Sequence, residues 1–370
     1  MKTLFMAAIV LCTATLANAQ TNQTRLTDEQ IYKNLSTKLD YMITRTDHGL
    51  GEGGRGRLFA WYWGYLGRAS LMMYDTTKDE RFLDLVRDIS LRLIEVRDDK
   101  LGLVDDERKR VLPNWGTKYK NGVRANEVTS AGLITLPMCQ YARIRGDEVI
   151  GRAAIESLSA FLDEKQPAFG GYYFHHYTQD IVEPLNHTHV YGAALAHCSL
   201  LPYAPKSYPE VAMGIHKYWE HFMRKDGEGY SWAYMPAPDS PLDQKSEAVW
   251  KAGVTVELPI ALVATGIMKD TKIIDKMEQT FLNHPIVKKG GIPQFIGSDV
   301  LVDLSERSKF DGSSLPGLFA PFVMLDRPKV QKAFIKMVED HPTLFSRGWF
   351  GGSRSMFMSY AYLRSKGALK

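Results

Sequence analysis

Thr129-Ser-Ala-Gly-Leu-Ile-Thr-Leu-Pro-Met-Cys-Gln-Tyr-Ala142 is apolar on almost every side of a helical projection. Behind it, Val149-Ile-Gly-Arg-Ala-Ala-Ile-Glu-Ser-Leu-Ser-Ala-Phe-Leu162 keeps one apolar stripe and one charged face. The polar junction Arg145-Gly-Asp-Glu148 separates the two. A helix that is apolar all round must be enclosed by protein, whereas an amphipathic helix has a side in water. The couple therefore reads as an inner helix followed by an outer one.

The same couple recurs along the chain. Leu58–Tyr74 and Arg81–Val96 flank Asp75-Thr-Thr-Lys-Asp-Glu80, and Val190–Tyr203 and Val211–Met223 flank Pro205-Lys-Ser-Tyr-Pro-Glu210. Val254–Met268 and Ile273–Leu282 flank Lys269-Asp-Thr-Lys272, and Leu315–Leu325 and Val330–Val338 flank Asp326-Arg-Pro-Lys329. Successive junctions are roughly 57 to 70 residues apart, and β-branched alternation is sparse throughout. The pattern predicts an all-α fold, an (α/α)n toroid in which an inner ring of helices is wrapped by an outer ring. An α-solenoid would need shorter and more uniform repeats.

Residues 1–19 have the layout of a secretory signal. Lys2 gives the positive start, Leu4 to Leu16 the apolar segment, and Ala17-Asn18-Ala19 the small-residue cleavage box. Cys12 lies within the apolar segment, which disfavours a lipid anchor. Residues 20–370 contain no linker or low-complexity tract and read as a single catalytic domain of an exported protein, periplasmic or secreted. No later run reaches the roughly 18 apolar residues of a membrane span. Cys139 and Cys198 both sit in apolar helical stretches; two buried thiols is the preferred reading, a single bridge the alternative. With 46 basic against 42 acidic residues the net charge is +4, too weak a surplus to indicate a nucleic-acid partner. Basic residues do cluster in loops, at Arg108-Lys109-Arg110, Lys118-Tyr119-Lys120 and Arg124, as an acidic ligand or a solvated surface requires.

The long connections all run from an outer helix to the next inner one: Asp98–Val123, Asp163–Leu185, Lys225–Lys245 and Asn283–Ser314. Binding sites are usually built from such loops at one end of a rigid scaffold. Asn126, Asn186 and His187 lie where a loop meets an inner helix, so they are expected to converge at one mouth. In Pro184-Leu-Asn-His-Thr-His-Val-Tyr191, Asn186 is either an N-cap or a donor to a substrate carboxylate. His187 is either a core histidine or an acid–base group. His189 faces elsewhere on the helix, and neither it nor His175 and His176 has metal-ligand spacing, so neither metal nor cofactor is expected. Asn126, with Arg124 close by, repeats the amide-at-helix-start theme. Tyr230, Trp232 and Tyr234, in Asp226-Gly-Glu-Gly-Tyr-Ser-Trp-Ala-Tyr-Met-Pro236, can pack a loop, stack on sugar rings or move protons. His176, Tyr173 and Trp63 complete the substrate-binding candidates.

Asn186-His187-Thr188, with Asn126 upstream and Tyr230 or Tyr234 downstream, resembles the Asn–His–Ser/Thr and tyrosine sets of α/α-toroid polysaccharide lyases. Alginate lyases of this fold carry Asn-Asn-His-Ser-Tyr-Trp; here Leu185 stands for the first Asn and His189-Val190 for Tyr-Trp. Length and leader are most similar to polysaccharide lyase family thirty-eight, whose members cleave alginate or glucuronan. The resemblance implies a uronate polymer as partner and cleavage by β-elimination. It makes His187 and one tyrosine the proton movers, with Tyr234 preferred to Tyr230, and Asn186, Asn126 and Arg124 the carboxylate clamp. A toroid glycoside hydrolase on an acidic glycan is the alternative, with its two carboxyl groups drawn from Glu127, Asp180, Glu247, Glu257 and Asp311. A non-catalytic glycan-binding protein is the third reading.

Overall fold

The computed structural model describes residues 26–47, 56–119, 121–176, 181–240, 246–283, 320–340 and 354–369. The leader, Lys120, Tyr177, Asp180, Asp311 and most of the fourth long connection lie outside them. Among the described residues no helix is long and apolar enough to cross a membrane.

The inner ring begins with α2 (Gly56–Thr77), after the outer helix α1 (Asp28–Asp47). Outer α3 (Arg81–Glu95) and the short α4 (Asp98–Leu101) follow, then inner α5 (Val128–Arg145) and outer α6 (Glu148–Ser159). Inner α7 (Leu185–Cys198) is paired with outer α8 (Tyr208–Phe222). The fourth inner segment is two helices, α9 (Val249–Thr255) and α10 (Glu257–Ala264), with α11 (Lys272–Asn283) outside. A 3-10 turn, Ala320–Leu325, continues the inner ring, with α12 (Pro328–Asp340) outside, and α13 (Arg354–Ser365) closes it. Neighbour packs on neighbour, α2 on α5, α5 on α7, α7 on α10, and α13 back on α2. The protein is an α/α toroid.

Sequence explains the burial. Every residue of α5 from Val128 to Cys139 is buried, while α3 buries only the stripe Phe82, Leu83, Leu85, Val86, Ile89, Ser90 and Leu93. The break between α9 and α10 follows from Pro259, which lacks the N–H that would bond the Thr255 carbonyl. His189 Nδ1 takes that carbonyl instead, at 2.5 Å. Helices α5 and α7 meet backbone to backbone at Gly132, where a Cβ would stand 2.5 Å from Tyr191 N. Cys139 and Cys198 face each other across the same pair of helices with Cα atoms 5.0 Å apart, and they form a disulfide. That corrects the reading of two free thiols: residues on different helices were placed in direct apposition by the packing.

The long connections contain antiparallel ribbons rather than plain loop. These are β1 (Val104–Asp105) with β2 (Arg110–Val111) and β3 (Thr117–Lys118) with β4 (Arg124–Ala125). The next connection holds β5 (Gln166–Ala168) with β6 (Gly171–Tyr173) and β7 (His175–His176) with β8 (Ile181–Val182). The third holds β9 (Arg224–Asp226) with β10 (Gly229–Ser231). They frame the end of the ring at which the inner helices start.

Candidate active site

Glu127 is the N-cap residue of α5, yet its side chain makes no cap hydrogen bond. It reaches into the mouth, where Arg57, on the first turn of α2, grips it through Nε (2.8 Å) and Nη2 (2.6 Å). Tyr119 Oη donates to the same carboxylate at 2.5 Å, and His176 Nε2 lies 3.7 Å away. Burial alone would raise the Glu127 carboxyl, but His176 and Arg57 outweigh it and hold the group well below the usual carboxylate range. The same contacts act in reverse on His176: burial pushes it down, and Glu127 and Glu183 carry it above its ordinary value.

A second carboxylate enters from β8. Glu183 Oε1 accepts from His187 Nδ1 at 2.5 Å, four residues on across the start of α7. With Nδ1 protonated, the other ring nitrogen, Nε2, carries the lone pair of a base. Pro184 is the N-cap of α7 and no side chain caps that helix, so Asn186 is not spent as a cap. Its residue is buried, and Oδ1 has no hydrogen-bond partner among the described residues. Tyr234 joins the group because its carbonyl accepts from Leu185 N at 3.1 Å, tying the third loop to the head of α7. Burial, with the charges of Glu247 and Glu183, pushes the Tyr234 phenol above its ordinary value. Lys251 Nζ, from α9, stands 3.5 Å from the centre of its ring.

Other candidates are elsewhere. Arg124 and Asn126 are buried beneath the mouth, where Arg124 pairs with Asp98 and Asn126 Nδ2 donates to Asp98 (3.1 Å) and Asp105 (3.2 Å). Both hold the loop carrying α4 against β4, so the expected clamp of three groups is reduced to Asn186. Tyr230 lies against α11, with its N–H on Thr280 Oγ1 and Lys276 over its ring. His189 and Trp232 are fully buried, His189 edge-on to Trp219 and Trp232 donating to Glu247 at 2.6 Å. Trp63 is core as well, its Nε1 bonded to the Ile134 carbonyl at 2.9 Å. Tyr173 stacks on Tyr218 at the rim, 5.3 Å between ring centres.

Of the carboxyl candidates among the described residues, Glu127 alone reaches the cluster. Glu247 is fully buried behind it, held by Trp232 and Thr255 Oγ1, and burial pushes its carboxyl up to about 8. Glu257 pairs with Arg68 toward the other end of the ring. No group of three or more His, Cys, Asp or Glu among the described residues is arranged to hold a metal. Arg57, Tyr119, Glu183 and Lys251 are cluster members that motif reading missed. Two signals were available: Glu183 stands at i−4 from His187, and Arg57 and Lys251 occupy the first turns of inner helices, as Asn186 does.

No protein-family model matches this chain, and no curated protein does. Solved structures do. An α-1,6-mannanase of Salegentibacter sp. HEL1_6 superposes with a TM-score of 0.55 at 12% identity, over 92% of this chain and 99% of that one. An inactive variant of it, with two adjacent aspartates replaced, was solved with α-1,6-mannotriose. An unsaturated glucuronyl hydrolase specific for heparin gives 0.53 at 14% identity, over 92% and 96% of the two chains. A protein from Listeria innocua gives 0.54 at 12% identity, over 84% and 85%. What this chain shares with them, at such identities, is the α/α-toroid fold.

Proposed function

We propose that the protein is a glycan-processing enzyme whose mouth takes a uronate-containing polysaccharide and cleaves it by β-elimination. The observation that carries this is the uncommitted amide of Asn186 beside the His187–Glu183 pair. The unpartnered Oδ1 of Asn186 accepts, so a substrate hydroxyl recovers the roughly 1–3 kcal/mol that such a buried group costs, while Nδ2 is the atom that donates to the carboxylate. Its neighbours are an imidazole base and a phenol kept protonated.

The chemistry follows from acidity. A uronate C5 proton is hardly acidic while the adjacent carboxylate carries full charge. Hydrogen bonds from Asn186 Nδ2 stabilise the charge that builds on that carboxylate, as oxyanion-hole donors do. His187 Nε2 takes the C5 proton, the electron pair becomes the C4–C5 double bond, and the C4–O4 bond breaks. Tyr234 Oη, whose raised phenol suits it to donate rather than accept, protonates O4. Glu183 keeps the imidazole in the tautomer this requires.

Hydrolysis is the second reading, and the structural neighbours favour it, since both named enzymes are glycan hydrolases. Glu127 and Glu183 would be its two carboxyl groups. A hydrolase needs one of its carboxyl groups protonated as general acid. Glu127, held as an anion by Arg57 and His176, fits the base or nucleophile of such a pair and not its acid. Digestion of glucuronan, alginate and a neutral mannan, followed by ultraviolet absorbance and by reducing ends, separates the readings. Elimination raises both signals on a uronate polymer. Reducing ends without the conjugated chromophore would establish hydrolysis, and no product with retained binding would leave a glycan-binding protein.

A further inference from the structure

The end of the ring opposite the mouth encloses a cavity of about 550 Å³, formed where the inner helices finish. Leu71 of α2, Leu136 of α5, Ala193 of α7 and Ile260 of α10 supply an apolar wall. Arg68, Gln140, His197 and Glu257 supply a polar one. Arg68 donates to both oxygens of Glu257, at 2.8 and 2.9 Å, and both side chains are 4% exposed. Two buried polar atoms there have no partner among the described residues, Arg68 Nε and His197 Nδ1. Gln140 Nε2 lies 3.4 Å from the other His197 nitrogen.

We propose that this cavity is a second binding site, separate from the mouth, for a neutral polyhydroxylated ring compound, a sugar of one or two rings. The volume lies within the roughly 300–1,000 Å³ of small-molecule sites. A neutral ligand fits because the deep charges are already matched, Arg68 by Glu257. Burial and the nearby charges of Arg68 and Arg143 keep the His197 imidazole uncharged, pushed down to about 3. The inner helices also present their carbonyl ends here, which disfavours an anion, and Arg143 at the rim offsets that field rather than adding a surplus. Nearer the opening, Asp75, Arg327 and Lys366 are paired with Lys78, Asp275 and Asp326, so what remains at depth are a guanidinium N–H, an imidazole nitrogen and an amide that both donates and accepts. A hydroxyl also does both, so a ring with hydroxyls on its edge and C–H groups on its face matches the two walls. This holds whichever reaction the mouth performs.

The test is binding of glucose, mannose and cellobiose to the whole protein by saturation-transfer NMR and calorimetry, with glucuronate as the charged counterpart. Saturable binding of at least one neutral sugar is expected, with the part of glucuronate binding that Gln140→Leu removes weaker. Ala264→Trp, at an exposed position on the cavity wall, should obstruct entry and weaken that binding about tenfold or more. Gln140→Leu should do the same from inside, and Asn186→Ala should leave it unchanged. The proposal fails if none of the three neutral sugars binds saturably, if binding survives both cavity substitutions, or if Asn186→Ala abolishes it. Tighter binding of glucuronate than of the neutral sugars, when it persists in Asn186→Ala and is lost in Gln140→Leu, would overturn the charge assignment.

Discussion

At the scale of single residues, the site turns on which polar groups are already satisfied. Asn126 and Arg124 looked as suitable as Asn186 in the sequence, since all three stand near the start of an inner helix. Acidic partners make the difference: Asp98 and Asp105 take up the first two, while no described residue takes up Asn186. Asn186→Ala should therefore lower kcat by about 10²-fold or more, as loss of an oxyanion donor does. Because Asn186 caps nothing, thermal melts of the variant should stay close to the parent. Tyr234→Phe should reduce elimination by roughly 10² to 10⁴-fold, the range for a lost general acid, with substrate still bound. Tyr230→Phe should be nearly silent in the same assay. In the sequence the two tyrosines were separated only by a preference for Tyr234, since both lie in one Gly-rich run. The β10 ribbon ends at Ser231 and the chain then crosses to the head of α7, which turns Tyr234 into the mouth and leaves Tyr230 on α11.

At the scale of elements, the buried inner helices were legible because all-round apolarity has no other home in a globular protein. The two-residue ribbons of the loops were not, being too short for period-2 alternation to register. The helices α1 and α13 also escaped: α1 precedes the first junction, and α13 buries serines such as Ser359, whose hydroxyl is satisfied by the Ser355 carbonyl at 2.8 Å. The pairing of Cys139 with Cys198 depends on how α5 and α7 face each other, which no local pattern encodes. It closes a loop of 59 residues, so replacing both cysteines by alanine should lower stability by up to about 4 kcal/mol on chain-entropy grounds. Denaturant unfolding of the double variant checks this. Glu247 links β10 to the start of α9 and gives a second test. Its folded-state carboxyl is raised, from 4.5 to about 8, so the native state holds a proton that the unfolded chain releases over that interval. The stability this provides is complete below pH 4.5 and declines as pH climbs toward about 8. Glu247→Gln keeps a neutral partner for Trp232 and Thr255, and Tm measured across the same interval should show a shallower decline than the parent.

At the scale of the whole molecule, a ring presents its chemistry at the helix starts, where exposed Lys118 gives the rim a cationic group while half-exposed Arg57 is paired with Glu127. If the substrate is a polyanion, KM should rise with added salt while kcat changes less, since screening weakens capture more than short-range contacts. A KM indifferent to salt would point to a neutral glycan. The ring was legible from repeated couples; the composition of the mouth was not, because residues from three connections and from the starts of four inner helices meet there only after the ring has closed. Gly132 shows how far that assembly depends on a single hydrogen atom. It lets α5 and α7 touch five residues past Glu127 and four past His187. A methyl group at that point would act as a wedge driven between two pillars near their tops. Gly132→Ala would spread Glu127 and Arg57 from His187 and Asn186 without altering any of the four, making the aperture of the mouth a property set by a residue that lies beneath it.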